Sequence, residues 1–489
     1  MMNIPSIRPA FEGLQPAAVW SHFSALCAIP RSSKNETELV SFLRSWAEAR
    51  GIDARTDAAG NIFLRKPASP GYENAPGVVL QSHLDMVCQK NEGVAHDFLR
   101  DPIVPVLRDG WIVAEETTLG ADNGIGVALI LAALEDEDLA HGPLEALLTV
   151  DEEAGMGGAR GLGPDWLDGR LLLNLDTEDW GVLYLGCAGS IDVNVRRAGT
   201  PLPVPQGFQG VRVDLRGLRG GHSGINIHEG RGNAIKLLVR ALRALEKTVS
   251  FRLARLRGGT ARNGLPREAF AELLLPADAV GSLSDFLAGW QAVFREELAG
   301  VDANLELSLT PCRVDAAMSE ADQKIWLASL HAAVHGVRRM SVEAPGVVET
   351  SDNLGVVDLS PEEGRCTFMV RSLVDSAITD LAEEIASLFE LSGMDVTMSG
   401  RNPGWRPNPG SALLARCRSV FRDLFAEDAV TRVVHAGLEC GLIGSKYPGM
   451  DMVSFGPTIH GAHAPGEKVE IASVERSWRL LQGILGDLR

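Results

Sequence analysis

Three short apolar runs in this chain each end in a side chain that can bind a metal ion, and that repetition restricts the fold more than any other feature. The first run, 77–81, leads into Ser82-His83-Leu84-Asp85. The second, through Leu147, Leu148 and Val150, leads into Asp151, Glu152 and Glu153 and a glycine-rich turn at 155–158. The third, 170–175, leads into Asp176. Short apolar runs bounded by turn signals predict buried strands of an α/β sheet. Ligands and catalytic groups of such sheets sit at the carboxyl ends of the strands. A further acid, Asp122, enters from a glycine loop, LGADNGIG at 119–126, ahead of an apolar helix over 127–134. Each feature alone has an ordinary explanation: a solvated acidic turn, a surface His–Asp pair, a helix cap at Asp122. Four sites repeating one logic do not. Adjacent acids repel unless cations or donors compensate. His with carboxylates is the donor set expected for Zn, Mn or Co. His83 and Asp85 share a face of an extended segment, so Asp85 is placed to take the second ring nitrogen of a metal-bound His83.

The 489 residues allow two to four domains, at ~150 residues each. Acids outnumber bases 64 to 46, a formal charge of -18, which argues against nucleic acid or an anionic membrane as partner. No apolar run approaches the ~20 residues of a membrane span. The opening MMNIPSIRPAFEGL lacks the charged and apolar regions of a signal peptide. Seven cysteines are scattered without a C-x-x-C pair, and their odd number argues against a disulfide framework. A reduced cytoplasm is the expected compartment.

The helical period runs through Trp20, Phe23 and Cys27, breaks at Pro30, and resumes through Leu39, Val40, Leu43 and Trp46. Near 186–189 the composition changes, and a Gly/Pro-rich segment follows at 199–210. Beyond it come a strand at 211–215 and a helix face of Ile235, Leu238, Val239, Leu242 and Leu245. A comparable pattern recurs over 305–391, with helices near 324–335 and 378–391. A second linker lies at 403–409, then a helix over 411–426, a strand over 451–455 and a closing helix through Val474, Trp478, Leu481, Ile484 and Leu485. The expected architecture is α/β. Residues 1–187 and 399–489 form a mixed-sheet domain, and 188–398 form an inserted α+β domain of two similar sub-units. The loop 456–467 can return a second imidazole to the strand ends. Spacing alone leaves His460 and His463 both open. No phosphate-loop pattern fits the glycines, and Gly221-His222-Ser223-Gly224 is no nucleophile elbow because Ile225 holds the final glycine position.

Nine stretches together resemble the dinuclear metallopeptidase family of carnosinases, aminoacylases and tripeptide aminopeptidases. They are QSHLDMVCQKN (81–91), LGADNGIGVA (119–128), VDEEAGMGGA (150–159), LNLDTED (173–179), RGGHSGINIHEGRGNA (219–234), ARNGLPREA (261–269), MVRSLVDS (369–376), HAGLECG (435–441) and FGPTIHGAHAPGEKV (455–469). The resemblance covers almost the whole chain and implies that 1–187 and 399–489 are the catalytic metal-binding domain and 188–398 a lid and dimerisation domain. It implies a dipeptidase for Xaa-His and other dipeptides, with two divalent metal ions, Zn first and Mn or Co as the other choices. His83 and Asp176 would hold one ion, Glu153 and a C-terminal His the other, with Asp122 bridging. The family's His-x-x-x-Glu pattern is met by His463 and Glu467, whereas His460 is followed by Ala464 at that place, so the resemblance selects His463. Glu152 matches the general base and Asp85 the carboxylate behind the metal ligands. A cis peptide is implied between Asp122 and Asn123. His222 matches a donor to the developing oxyanion, delivered across a homodimer interface; its ordinary alternative is a turn cap. Asn263 and Arg371 are candidates for the substrate's C-terminal carboxylate, Arg because its planar fork binds carboxylates bidentately. Their alternatives are a turn and a structural salt bridge. Gly437 would let backbone approach the substrate. Asp151 has no assigned chemistry. Competing functions are a tripeptide-type aminopeptidase or N-acyl amino acid hydrolase of the same family, and an inactive metal-binding relative.

Overall fold

The computed structural model describes residues 9–489. Residues 1–8, which open the stretch read for a signal peptide, lie outside the described residues. Among the described residues no helix is long and apolar enough to cross a membrane. The chain divides into two compact units. The first takes residues up to Gly186, Pro407–Val433 and Leu438–Arg489; the second takes Cys187–Arg406 and Val434–Gly437. The boundary expected at 398/399 therefore moves to Arg406. Asp395–Asn402 is a strand paired with Gly189–Ala198, and ladder hydrogen bonds keep 399–402 with the second unit. Val434–Gly437 joins that unit as well, because the Ala188 N–H donates to the carbonyls of Val434 and Ala436 at 3.0 and 3.1 Å.

The first unit is built on an eight-stranded sheet. Its centre is four parallel strands in the order Leu144–Thr149, Val78–His83, Leu171–Asn174, Asp451–Ser454. Nearly every residue of these strands is buried, as unbroken apolar runs predict for strands covered on both faces. Their carboxyl ends lie along one edge. Antiparallel strands extend the sheet on either side. Helix Ala121–Glu135 is apolar all round and buried from Asn123 to Leu134, the pattern of a core helix. The closing helix, Ile471–Asp487, buries Val474, Trp478, Leu481, Ile484 and Leu485, the face its period predicts. A separate four-stranded sheet, with Ile459–His460 at one edge beside Lys468–Glu470, frames the C-terminal loop.

The second unit is built on an antiparallel sheet of nine strands, with Gly221–His222 and Gly264–Leu265 paired apart from it. The two similar halves expected from sequence share that sheet and one apolar core. Helices Ala234–Leu245, Val280–Glu297, Glu320–Ala332 and Asp375–Leu391 all contribute to the core. Helix Val280–Glu297 is absent from the sequence reading. It buries only Leu283, Leu287 and Phe294, and Gly281 and Gly289 dilute its pattern.

Candidate metal centre and substrate-contact residues

His83 is the last residue of its strand, and Asp176 follows the neighbouring strand by two residues. Folding brings both to Asp122. His83 Nε2 lies 3.1 Å from Asp122 Oδ1 and 3.3 Å from Asp176 Oδ1. His463 Nε2 lies 3.0 Å from Asp122 Oδ2 and 3.2 Å from Glu153 Oε1. The two oxygens of one carboxylate thus face one imidazole each, and each imidazole faces a second acid. In the group His83, Asp122, Asp176 and in the group Asp122, Glu153, His463, the donor atoms all lie within 4.8 Å of one another. Donors ~2 Å from a common cation have spacings of this order. Glu153 Oε1 is buried and faces the His463 ring.

The electrostatics show an excess of acids around the two imidazoles. Burial works against the His83 imidazolium, yet Asp176, Asp122 and Asp85 raise its pKa well above the ordinary value. Hydrogen bonds donated to Asp122 and Glu153 push His463 up to about 11, against burial. Burial raises Asp176 to about 6, with His83 opposing. Burial opposes ionisation of Asp122, but His463 and His83 hold it below the usual range. Protons on two imidazoles therefore balance the acids. Divalent cations bound to neutral imidazoles would do the same, because metal binding displaces ligand protons. The residues fit two such ions.

Asp85 does more than the sequence indicates. Its Oδ1 lies 3.4 Å from His83 Nδ1. The carboxylate also accepts the Ser33 hydroxyl at 2.7 Å and the N–H groups of Glu152 and Glu153 at 3.0 and 3.1 Å. Burial would raise its pKa, but these partners hold it down to about 2. One side chain thus aligns the His83 ring and the acidic turn. Asp151 has a structural place: it sits at φ 55° and donates its N–H to Glu36 Oε1 at 2.8 Å. Arg31 is buried and donates to the carbonyls of Leu84, Asp85 and Gly120, tying the His83 loop to the Asp122 loop. Gly120 is required by that approach: at φ 72°, a Cβ there would stand 2.5 Å from the Arg31 guanidinium. The Asp122–Asn123 peptide is cis.

Glu467 holds the same loop from the far end of the chain. Its buried carboxylate accepts the N–H groups of Leu119, Gly120, Ala121 and Asp122 at 2.7, 2.9, 2.7 and 3.2 Å. Glu467→Gln turns an amide NH2 towards N–H donors. The expected result is about 10- to 100-fold weaker metal binding, the range for partners that orient ligands, read by titrating metal-free protein with Zn. Unchanged affinity would show that the loop is held without this carboxylate.

Glu152 stands beside these groups. His83, Glu152 and Glu153 also lie within ligating reach of one another, so reach alone does not separate Glu152 from the other donors. Burial raises its carboxyl well above the usual range; His83 opposes, while Asp176, Glu439 and Glu153 add to the rise. Glu439 is fully buried and accepts from Gln81 Nε2 and Thr149 Oγ1, both at 2.6 Å. Burial raises it to about 7. The two histidines that spacing left open separate clearly. His460 packs its ring 5.0 Å from Trp111, and His463, at φ 65°, aims at the acids.

The remaining candidates lie in the second unit. His222 Nδ1 accepts the N–H groups of Gly224 and Ile225, each at 3.1 Å, so it does cap a turn. With Nδ1 accepting, the proton of the neutral ring sits on Nε2. Arg371 Nη2 lies 3.4 Å from that nitrogen, and two donors converge. Arg371 is 5% exposed. Burial lowers its pKa to about 10, Arg262 adds to this and Asp192 opposes. No ion pair of Arg371 occurs among the described residues, so the salt-bridge alternative is not met. Its Nε donates to Ser223 Oγ at 3.2 Å. The Asn263 carbonyl accepts the Ser223 N–H at 2.8 Å, and the Asn263 side chain is exposed. Gly437 ends the returning segment Val434–Gly437.

Residues 79–487 match the profile of peptidase family M20/M25/M40. The chain belongs to this family. It is 44% identical over 476 residues to the cytosol non-specific dipeptidase of Escherichia coli K12, covering 97% of this chain and 98% of that one. The crystal structure of an aminoacylhistidine dipeptidase from Vibrio alginolyticus superposes with a TM-score of 0.87 at 43% identity, covering 98% of each chain. A tripeptidase from Staphylococcus aureus shares the fold at 16% identity, with a TM-score of 0.56. Family membership makes this chain a peptide-bond hydrolase, and M20 enzymes are dinuclear metallopeptidases, in keeping with the two ligand groups that share Asp122. Sequence reading had missed Arg31, Glu439 and the job of Glu467 in this M20 centre. The available signal was charge in apolar company: Glu439 sits between Leu438 and Cys440-Gly441-Leu442-Ile443, and acids are almost never fully buried unless paired.

Proposed function

We propose that this M20 peptidase is a dipeptidase that hydrolyses Xaa-His and other dipeptides with two divalent metal ions, zinc first and manganese or cobalt as the other choices. The observation that carries the reading is the Asp122 carboxylate, each of whose oxygens faces an imidazole paired with a second acid. His83 and Asp176 would hold one ion, Glu153 and His463 the other, with Asp122 shared. Such ions, when bound, lower the pKa of a water and polarise the scissile carbonyl. Glu152, outside both groups, accepts the attacking water's proton and returns it to the leaving amine nitrogen. Asp85 keeps the His83 ring aligned and fixes the backbone of Glu152. His222 Nε2 donates to the carbonyl oxygen as charge builds on it. Arg371 and Asn263 hold the substrate's terminal carboxylate, and Gly437 admits backbone to the substrate. Recognition of the carboxylate limits how much chain can follow the scissile bond. The second unit acts as lid and dimerisation domain of a cytoplasmic homodimer, without nucleic-acid or membrane partners; the net charge of -18 supports the last point.

A panel of dipeptides, tripeptides and N-acetyl amino acids, assayed on metal-replete enzyme, tests the reading. Dipeptides, Xaa-His among them, are expected to exceed both other classes in kcat/KM by about a hundredfold or more, because a site built for polar end groups rejects substrates that leave it unpaired. Hydrolysis of the acetyl compounds alone, or a preference for tripeptides, would reassign the substrate class.

A further inference from the structure

Strand Val348–Leu359 runs through the second unit's sheet. Of the buried polar side chains in its middle, Ser351 and Asn353 are 1% and 0% exposed. Residues two apart on a strand share a face. The register sets Ser351 opposite Arg371 and Asn353 opposite Met369 on the next strand, so all four side chains occupy one face.

Ser351 and Asn353 each grip a different segment. Asn353 Nδ2 donates to the carbonyls of Arg262 and Gly264, at 3.0 and 2.8 Å. Those residues flank Asn263 on either side. Ser351 Oγ lies 2.8 Å from His435 Nε2. His435 is 6% exposed and stands two residues before Gly437. Burial, with Arg371 and His222 adding, pushes its imidazole down to about 3, so it is a neutral partner for the hydroxyl. Ser223 closes the circuit, donating its N–H to the Asn263 carbonyl and accepting from Arg371 Nε. Two side chains of one strand thus hold the backbone around Asn263 and the segment ending in Gly437, beside Arg371.

We infer that Ser351 and Asn353 are positioning residues for recognition of the substrate's C-terminal carboxylate, fixing Asn263, Gly437 and Arg371 relative to one another. The inference rests on the carboxylate role proposed above. Its physical basis is that a buried guanidinium without a carboxylate partner binds an anion well only if the other donors are already in place. A displacement of about 1 Å at such a site lowers rates by about a hundredfold.

The experiment compares a dipeptide with its C-terminal amide for wild type, Arg371→Ala, Asn353→Ala, Ser351→Ala, Ser351→Thr and the double variant N353A/R371A, with metal content and thermal unfolding recorded for each. Wild type is expected to prefer the free acid strongly and R371A to lose that preference. N353A and S351A should raise KM for the acid by about tenfold or more, with the amide's kcat/KM and the metal content retained. S351T restores the hydroxyl and the preference, and the double variant is no worse than R371A. Equal losses on acid and amide, or no loss on either, would overturn the inference while leaving Arg371's role intact. If wild type cleaves acid and amide alike, the carboxylate reading falls and this inference with it. Should N353A fail to fold, the S351A and S351T pair decides, since one hydroxyl is all that changes.

Discussion

Glu152→Gln is expected to keep both metal ions and to lower kcat by about 10³- to 10⁴-fold, towards the upper end of what general acid–base catalysis contributes. Gln matches Glu in shape but accepts no proton. The N–H group through which Asp85 holds residue 152 belongs to the backbone, so the acidic turn and Glu153 stay in place. The neighbouring donors form two complete groups without Glu152. Metal analysis and steady-state kinetics on one preparation separate the outcomes. An unchanged kcat removes Glu152 from proton transfer. Loss of a metal ion makes it a ligand, the option its proximity to His83 and Glu153 keeps open.

Asp122→Asn is expected to abolish turnover and to reduce the metal content from about two ions per chain, as in two-metal hydrolases, to one or none. An amide offers one oxygen and one NH2 group, and the NH2 group cannot ligate a cation. Whichever way it turns, one of the imidazoles, 3.1 and 3.0 Å away, loses its acceptor. His463→Ala should remove one ion only, because His83, Asp122 and Asp176 remain. His460→Ala should remove neither, since that ring packs on Trp111. An Asp122→Asn protein holding both ions would refute the bridge. A larger metal loss from His460→Ala than from His463→Ala would reverse the histidine assignment.

How much of this was legible in the chain varied by element. The central strands were read because an apolar run is a local signal. The long buried strand of the second unit was not. Its sequence, VETSDNLGVVDL, holds Ser, Asp and Asn in a row and a Gly two residues on, residues depleted in strands and typical of turns. Asn353 stays there because its amide serves the carbonyls of Arg262 and Gly264. The boundary near 398 was misplaced for a related reason. Residues 399–402 form an exposed edge strand, and exposed edges lack the apolar alternation that marks a strand.

By itself the sequence determined which chemistry was on offer: imidazoles and carboxylates at the ends of buried strands, a glycine loop bearing one more acid, and an acidic turn. These follow from neighbours within a few residues. Beyond the ligand set that the family resemblance implies, the tertiary structure decided which donors meet. Glu467 caps amides some 345 residues away. Asp85 reaches 67 residues along the chain to hold Glu152. His463, rather than His460, turns to Asp122 across 341 residues. The physical reason is that a hydrogen bond acts over about 3 Å of space, and separation along the chain says nothing about that distance until the core has packed.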